Sequence, residues 1–118
     1  MTRNLPYDRA QRVADEVHHI IATVCYNEIR DPRLKGLEIT HVMMTKDLKI
    51  ARVYFYSKDV SEDGRLIMKK GLESATGFFK KAIGRDLKLR YMPEMEFFFD
   101  DSVELGQKLE KIMKKEGS

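Results

Sequence analysis

Hydrophobic positions along the chain recur with two different periods, and the change of period marks the predicted elements. Between residues 7 and 27, apolar side chains return every three or four positions, which predicts a helix with one buried stripe. The proline at position 32 ends this helix, because the residue before a proline disfavours helical backbone angles. Residues 37–45 and 48–57 are then rich in β-branched and aromatic side chains, which predicts a β-hairpin.

The second arm of the hairpin presents different residues on its two faces. Ala51, Val53 and Phe55 share one face, and we expect that face to pack against the helices. A third strand is predicted over residues 95–99, which follow Pro93 and contain three consecutive phenylalanines. Three strands of this length suit one small sheet.

Two further helical regions are predicted from their capping signals. Ser61 precedes a helical pattern that runs from about residue 62 towards residue 83, and Gly84 is positioned to end it. Asp101 and Glu104 have the spacing of a capping box for a last helix. We expect residues 113–118 to be frayed.

The predicted order of elements is helix, strand, strand, helix, helix, strand, helix. Helices and strands do not alternate singly, which favours an α+β fold with one three-stranded sheet covered by helices on one face. A length of 118 residues suits one domain, and residues 5–112 are expected to form its core.

Composition is that of an ordinary globular domain. Apolar residues make up 42% of the sequence, and no stretch reads as a membrane span or a signal peptide. The single cysteine, Cys25, cannot form an internal disulfide, and its place beside the apolar stripe of the first helix predicts a buried thiol rather than a nucleophile. We therefore expect a cytoplasmic protein.

Charge is segregated along the chain although the net charge is only +3. Residues 1–64 carry ten basic and ten acidic side chains, whereas residues 65–90 carry eight basic and two acidic ones. Residues 91–107 then carry five acidic side chains and no basic one. The basic segment would attract a polyanion such as nucleic acid, although a solvated helix face gives the same pattern.

The residue types needed for catalysis or metal binding do not come together in this sequence. His18 and His19 are adjacent on the predicted first helix, so their side chains point about 100° apart and do not form a metal pair. The carboxylates of residues 94–101 lie where a strand leads into a helix, which cap and strand-edge roles explain. No glycine-rich phosphate loop is present. We therefore expect no enzyme, no metal and no cofactor.

The small residues Ala75, Thr76 and Gly77 predict a kink inside the long helical pattern. A glycine in a helix costs about 1 kcal/mol relative to alanine, so this one calls for a physical reason. It can let a phosphate-bearing ligand approach the backbone beside the neighbouring lysines, or it can pack under the sheet. The residues alone leave both interpretations open.

The element order with a kinked helix pair resembles a type II KH domain, which binds nucleic acid at a helix–turn–helix junction. The usual GxxG loop is absent, and A-T-G stands at residues 75–77 instead, as in the ribosome-binding factor A family, which the chain resembles. Several stretches match that family in order over residues 5–112, whereas the short C-terminal end departs from longer relatives. They are D-P-R-L at 31–34, I-T-H-V at 39–42, D-L-K-I-A-R-V-Y at 47–54, G-L-E-S-A-T-G at 71–77 and L-R-Y-M-P-E-M-E-F at 89–97.

The resemblance implies a non-enzymatic factor that binds the immature small (30S) ribosomal subunit and contacts its 16S rRNA. It also implies a role in maturation and 5′-end processing of this rRNA, strongest in the cold, and release by a ribosome-associated GTPase. We expect a monomer. The basic segment around the kink is the predicted RNA contact, with a second contact in the loop after the first helix: Lys69, Lys70, Lys80, Lys81, Arg85, Lys88 and Arg90, then Arg33 and Lys35.

Two other functions remain open at this point. A generic KH-like module for single-stranded RNA is disfavoured by the missing GxxG loop, which clamps the RNA backbone in ordinary KH domains. A protein-interaction domain would use the same basic patch for an acidic partner. Phe78 and Phe79 are candidates for stacking on bases, although we expect at least one of them to belong to the core.

Overall fold

Helices and strands follow one another in the predicted order. The computed structural model describes residues 8–58 and 60–117, with side chains as far as residue 114. Its elements are α1 (Arg9–Asn27), a short 3-10 helix (Pro32–Leu34), β1 (Glu38–Met44), β2 (Ile50–Tyr56), α2 (Glu62–Ser74), α3 (Thr76–Asp86), β3 (Glu94–Phe99) and α4 (Ser102–Gly117). This order and the single three-stranded sheet confirm the expected α+β fold.

Helix α1 begins at a side-chain cap and is joined to the first strand. The Asp8 carboxylate accepts a hydrogen bond from the backbone N–H of Gln11 at 2.8 Å, which satisfies a donor of the first turn. Val17 and Ile21, one turn apart, are fully buried where the helix packs on β1. Nε2 of His18 donates to the carbonyl oxygen of Ile39 at 2.8 Å. Apolar packing and a polar contact therefore both hold α1 on the sheet.

The sheet has the strand order β1-β2-β3, and its helix-covered face is the predicted one. Ala51, Val53 and Phe55 are at most 1% exposed, as expected for the packing face of β2. β1 and β2 pair antiparallel, whereas β2 and β3 pair parallel, with α2 and α3 as the crossover. Because β2 and β3 begin at the same end, the hairpin turn lies beside the loop that precedes β3.

A single residue separates α2 from α3, which confirms the predicted kink. Ala75 has φ −87° and ψ −2°, and its N–H is shared between the carbonyl oxygens of Gly71 at 3.1 Å and Leu72 at 3.0 Å. It is 3% exposed, so the break is anchored in the core. Of the three predicted kink residues, Ala75 makes the break, whereas Thr76 and Gly77 already belong to the first turn of α3.

Two helix ends differ from the prediction. Gly84 does not end α3, which continues to Asp86 and stops where Leu87 becomes extended. Leu87 packs against the core, and this burial outweighs the local cost of a glycine in the last turn. Helix α4 continues to Gly117, beyond the point at which the sequence predicts fraying.

The first turn of α4 is held by an arginine from α2 rather than by the predicted capping box. Arg65 contacts the carboxylates of Asp101 at 3.4 Å and Glu104 at 3.0 Å. The backbone N–H of Ser102 donates instead to the Asp100 carboxylate at 2.9 Å. The prediction that Asp101 and Glu104 cap the helix is therefore wrong, because both side chains turn towards the guanidinium.

Candidate nucleic-acid interface

An open groove lies between the C-terminal end of α1 and the break between α2 and α3. Its volume is about 290 Å³. The chain just after α1 forms one wall and the two helices of the bent pair form the other, with the lining residues Glu28, Ile29, Arg30, Asp31, Gly71, Ser74, Ala75 and Phe78. The groove therefore adjoins the kink at which the sequence predicts RNA.

The two phenylalanines of α3 have opposite environments. Phe79 is fully buried, with its ring centroid 6.2 Å from that of Phe97 in β3. Phe78 is 54% exposed and lines the groove. The expectation that one of the pair belongs to the core is confirmed. The other offers an exposed aromatic face, which is what stacking on a nucleobase requires.

Gly71 and Gly77 differ in what surrounds them. A β-carbon at Gly71 would lie 2.9 Å from Cδ2 of Leu34 and 3.2 Å from Cβ of Arg33, so Gly71 is the glycine that allows close packing, here of α2 on the short 3-10 helix. A β-carbon at Gly77 would find no described atom within 4 Å. Packing under the sheet is therefore wrong as an interpretation of Gly77, whereas close approach of a ligand stays a prediction.

The first turn of α3 opens onto the same surface. Its N-cap position is Ala75, and among the described residues no side chain caps it. The hydroxyl of Thr76 donates back to the carbonyl oxygen of Leu72 at 3.3 Å. The first N–H groups of a helix lack acceptors within the helix and carry partial positive charge, which favours a bound anion. The backbone at Thr76 and Gly77 is thus suited to a phosphate.

Phe78, Lys81 and Arg85 follow one another at helical spacing and form one exposed stripe of α3. The stripe starts in the groove at Phe78 and continues away from it with positive charge. Arg85 pairs with the adjacent Asp86 at 3.1 Å. The part of the chain that the structure describes provides no ion partner for Lys81.

Cations from other elements border the groove. Arg33 makes a bidentate pair with Asp31, at 2.6 Å in its shortest contact, and hydrogen bonding from Arg33 holds the pKa of the Asp31 carboxyl below its ordinary value. Lys70 is exposed one turn before Ser74. We call the following exposed residues of this region the kink surface, which also borders the exposed carboxylate of Glu28: Arg30, Arg33, Lys70, Ser74, Gly77, Phe78, Lys81 and Arg85.

The basic residues predicted around the kink do not share one face, because consecutive helical residues point about 100° apart. Lys80 is half-buried on a different side of α3 from Lys81 and pairs with Glu94 of β3 at 3.2 Å. Lys69 lies one turn after Arg65, on the flank of α2 that meets the start of α4.

Lys88 and Arg90 lie still further from the kink, in the loop after α3. Lys88 lines a shallow groove with Arg9 and Arg12 at the N-terminal end of α1, whereas the opposite end of α1 borders the kink groove. The 11 residues of α3, about 16 Å of helix, separate this loop from the break. A contact of these two residues with RNA stays a prediction, and it belongs to a different surface.

The residues that the sequence reasoning missed are those brought in by distant contacts. Arg30 and Ser74 line the groove, although nothing in their local pattern predicts that the end of α1 meets the break. Gly71 carried the same signal as Gly77, a glycine within a helical pattern. Only the approach of Leu34 reveals which of the two glycines packs.

Other kinds of site find no support in this structure. Within residues 8–58 and 60–117, no group of His, Cys, Asp and Glu side chains is placed to hold a metal ion. Cys25 is half-buried rather than fully buried, and this burial raises the pKa of its thiol to about 11, so the thiol remains protonated at neutral pH. Over the same residues, none of the helices combines the length and the apolar character that crossing a membrane requires.

Comparison with known proteins places the chain in a family. The family model described as ribosome-binding factor A matches residues 9–113. The chain belongs to the ribosome-binding factor A family. A ribosome-binding factor A from Desulfatibacillum aliphaticivorans is 43% identical over 109 residues, which is 92% of this chain and 88% of that relative.

Solved structures of the ribosome-binding factor A family share the fold. The crystal structure of ribosome-binding factor A from Thermus thermophilus matches with a TM-score of 0.66 at 23% identity, over 76% of this chain and 93% of that one. A Thermus thermophilus homology model of the same factor, fitted into the cryo-EM map of a 30S complex, matches with a TM-score of 0.56 at 24% identity, over 71% of this chain and 87% of that one.

Proposed function

We propose that this chain is a non-enzymatic assembly factor that binds the immature small (30S) ribosomal subunit through its 16S rRNA. The observation that carries the proposal is the exposed pair Gly77 and Phe78 beside an open groove, with the uncapped start of α3 and Lys81 next to it. A bare backbone, an exposed ring and a cation together suit an RNA backbone with an unpaired base. The Thermus thermophilus relative fitted into a 30S complex supports the same partner.

Family membership supports the finer features of this proposal. The factor assists maturation and 5′-end processing of the 16S rRNA, with its largest effect in the cold. It acts in the cytoplasm as a monomer without a cofactor, and it leaves when a ribosome-associated GTPase acts. Such a factor needs no catalytic residue, because binding one conformation of an rRNA junction is enough to shift its folding equilibrium.

Phosphate contacts supply most of the affinity in this mechanism. Lys70 and Lys81 have no ion partner within the described residues, so they meet phosphates at little cost. Arg85 exchanges Asp86 for phosphate, which is feasible because an exposed ion pair is worth only about 0–1 kcal/mol, whereas Arg33 stays in its bidentate pair with Asp31. Each phosphate neutralised adds about 0.7–0.9 to the slope of log affinity against log salt, so binding should weaken steeply with salt.

A charge reversal of the kink surface tests the proposal. Lys70→Glu with Lys81→Glu should reduce cosedimentation with bacterial precursor small subunits at least tenfold at moderate salt, while thermal unfolding stays unchanged because both side chains are exposed. Lys108→Glu with Lys111→Glu is the matched control, since it makes the same charge change on the exposed face of α4. Wild-type sedimentation by the kink variant would rule out this surface as the binding site.

The nature of the partner is tested with RNase and competitor RNA. Recovery of the chain on precursor small subunits, lost after RNase treatment, agrees with the proposal. Recovery of one protein that survives RNase would identify a protein-interaction domain. Equal affinity for unrelated single-stranded RNA would identify a generic RNA-binding module.

A further inference from the structure

A second group of exposed cations surrounds one tyrosine at the end of the sheet where the hairpin turns. Nζ of Lys49 lies 5.3 Å from the centre of the Tyr91 ring, and Cζ of Arg90 lies 5.5 Å from the same centre. Both distances are within the range of cation–π attraction. Tyr91 is 51% exposed. We call Lys49, Arg90 and Tyr91 the hairpin-end surface.

The backbone holds Lys49 beside the loop that carries Tyr91. The N–H of Glu94 donates to the carbonyl oxygen of Lys49 at 2.9 Å, which ties the hairpin to the start of β3. The Asp47 carboxylate accepts bonds from the hydroxyl of Thr45 at 2.7 Å and from the N–H of Lys49 at 3.0 Å. Leu48 has a φ of 62°, which non-glycine residues rarely adopt, and packs against the core. The turn therefore has one defined shape.

Cations outnumber free acids at the hairpin-end surface. Glu94 pairs with Lys80 at 3.2 Å, whereas Asp47 keeps its negative charge near Lys49: hydrogen bonds from Thr45 and from the N–H of Lys49, together with the charge of Lys49, lower its pKa. Within the described residues, neither Lys49 nor Arg90 has an ion-pair partner. Two cations gathered at one exposed ring, with a single carboxylate near Lys49, fit a polyanion better than a neutral or basic ligand.

We propose that the hairpin-end surface is a second RNA contact, in which Lys49 and Arg90 take backbone phosphates while Tyr91 holds both cations in position. This inference rests on the proposed function, because the ligand is the same rRNA that meets the kink surface. The groove at the break and the loop that carries Arg90 and Tyr91 stand apart by the length of α3, about 16 Å, with Arg85 between them. An RNA must present phosphates at both places to gain the full affinity, which favours a folded junction over a single strand.

Salt titration of binding to bacterial precursor small subunits tests this contact. Lys49→Gln with Arg90→Gln should lower affinity about tenfold at moderate salt and reduce the slope of log affinity against log salt by about 1.4–1.8, since two phosphate contacts are lost. Tyr91→Leu should lower affinity about two- to fivefold without changing that slope, whereas Tyr91→Phe should match the wild type because the ring is kept.

Two reference variants make the outcomes distinguishable. Lys108→Gln with Lys111→Gln removes the same charge from α4, and an equal loss of affinity there would reduce the effect to overall charge and overturn the local site. If the hairpin-end variants keep wild-type affinity and slope while Lys70→Glu with Lys81→Glu loses binding, the second contact is refuted and the proposed function stands. If the wild-type chain does not bind the subunits, both fall.

Protein-free 16S rRNA separates the two possible partners at this surface. A loss of affinity for both the subunit and the bare rRNA in the Lys49→Gln, Arg90→Gln variant supports an RNA contact. A loss seen only with the intact subunit would mean that a ribosomal protein occupies the surface, which overturns the proposal.

Discussion

The two glycines of the bent helix pair should respond in opposite ways to the same substitution. Replacing glycine by alanine inside a helix gains about 0.5–1 kcal/mol in the absence of other contacts. Gly77→Ala keeps that gain, because its methyl group meets no described atom within 4 Å. Gly71→Ala places its methyl 2.9 Å from Cδ2 of Leu34 and 3.2 Å from Cβ of Arg33. Overpacking of this kind costs about 1–3 kcal/mol, so a net loss of about 0.5–2 kcal/mol is expected.

Thermal unfolding measures this difference, and subunit binding measures its functional meaning. A change of 1 kcal/mol shifts Tm by about 4 °C in a domain of this size, so Gly77→Ala should melt higher and Gly71→Ala lower than the wild type. Gly77→Ala should nevertheless bind small subunits more weakly, because its methyl stands where RNA approaches the backbone. Unchanged binding by a stabilised Gly77→Ala variant would refute the reasoning about close approach. Wild-type stability of Gly71→Ala would refute the packing argument.

Three further substitutions or probes test the framework that carries the site. Arg65→Met should lower the free energy of unfolding by about 1–2 kcal/mol and speed amide exchange at the start of α4. The substitution removes the contacts of Arg65 with two carboxylates and the stacking of its guanidinium on the Phe99 ring. Hydrogen bonds from Ser102 and Thr40 lower the pKa of Asp100, so its stabilisation is present above the unfolded value and lost as pH falls through the lower folded one. Asp100→Asn should therefore lose about 1 kcal/mol at neutral pH and flatten the stability curve below about pH 4. Cys25, with a pKa of about 11, should react slowly with iodoacetamide at pH 8 until denaturant is added.

Each of these tests has a simple control and a contrary result. Arg52→Met removes an exposed ion pair with Glu96 on the open face of the sheet and should change stability little. If Arg65→Met changed stability no more than Arg52→Met does, Arg65 would not hold α4. An acid limb that is as steep in Asp100→Asn as in the wild type would assign the pH dependence to other groups. Rapid alkylation of native Cys25 would contradict a protonated, half-buried thiol.

Local sequence patterns predicted the helices and strands, but they did not predict the contacts between segments that are distant in the chain. The N-cap at Ser61 is where the sequence places it, accepting from the N–H of Gly64 at 3.1 Å, because capping depends on neighbours in the chain. Arg65 and Asp101 are 36 residues apart in the chain, so no local pattern predicts their contact. The spacing of Asp101 and Glu104 instead indicated a capping box. The lining of the groove by Arg30 follows from tertiary packing, which no local period encodes.

The fold also reduces the number of basic side chains that are available to a ligand. Three ion pairs join the basic segment to the acidic segment that follows it: Arg65 with Asp101, Arg65 with Glu104, and Lys80 with Glu94. Among the predicted contact residues of the basic segment, this leaves Lys69 on the flank of α2, Lys70, Lys81 and Arg85 at the kink surface, and Lys88 and Arg90 beyond the end of α3. A partner that responded only to total charge would gain little from either small group alone. The distance between the groove at the break and the loop after α3, set by the length of α3, is therefore the feature that would let this chain distinguish one folded rRNA junction from other RNA.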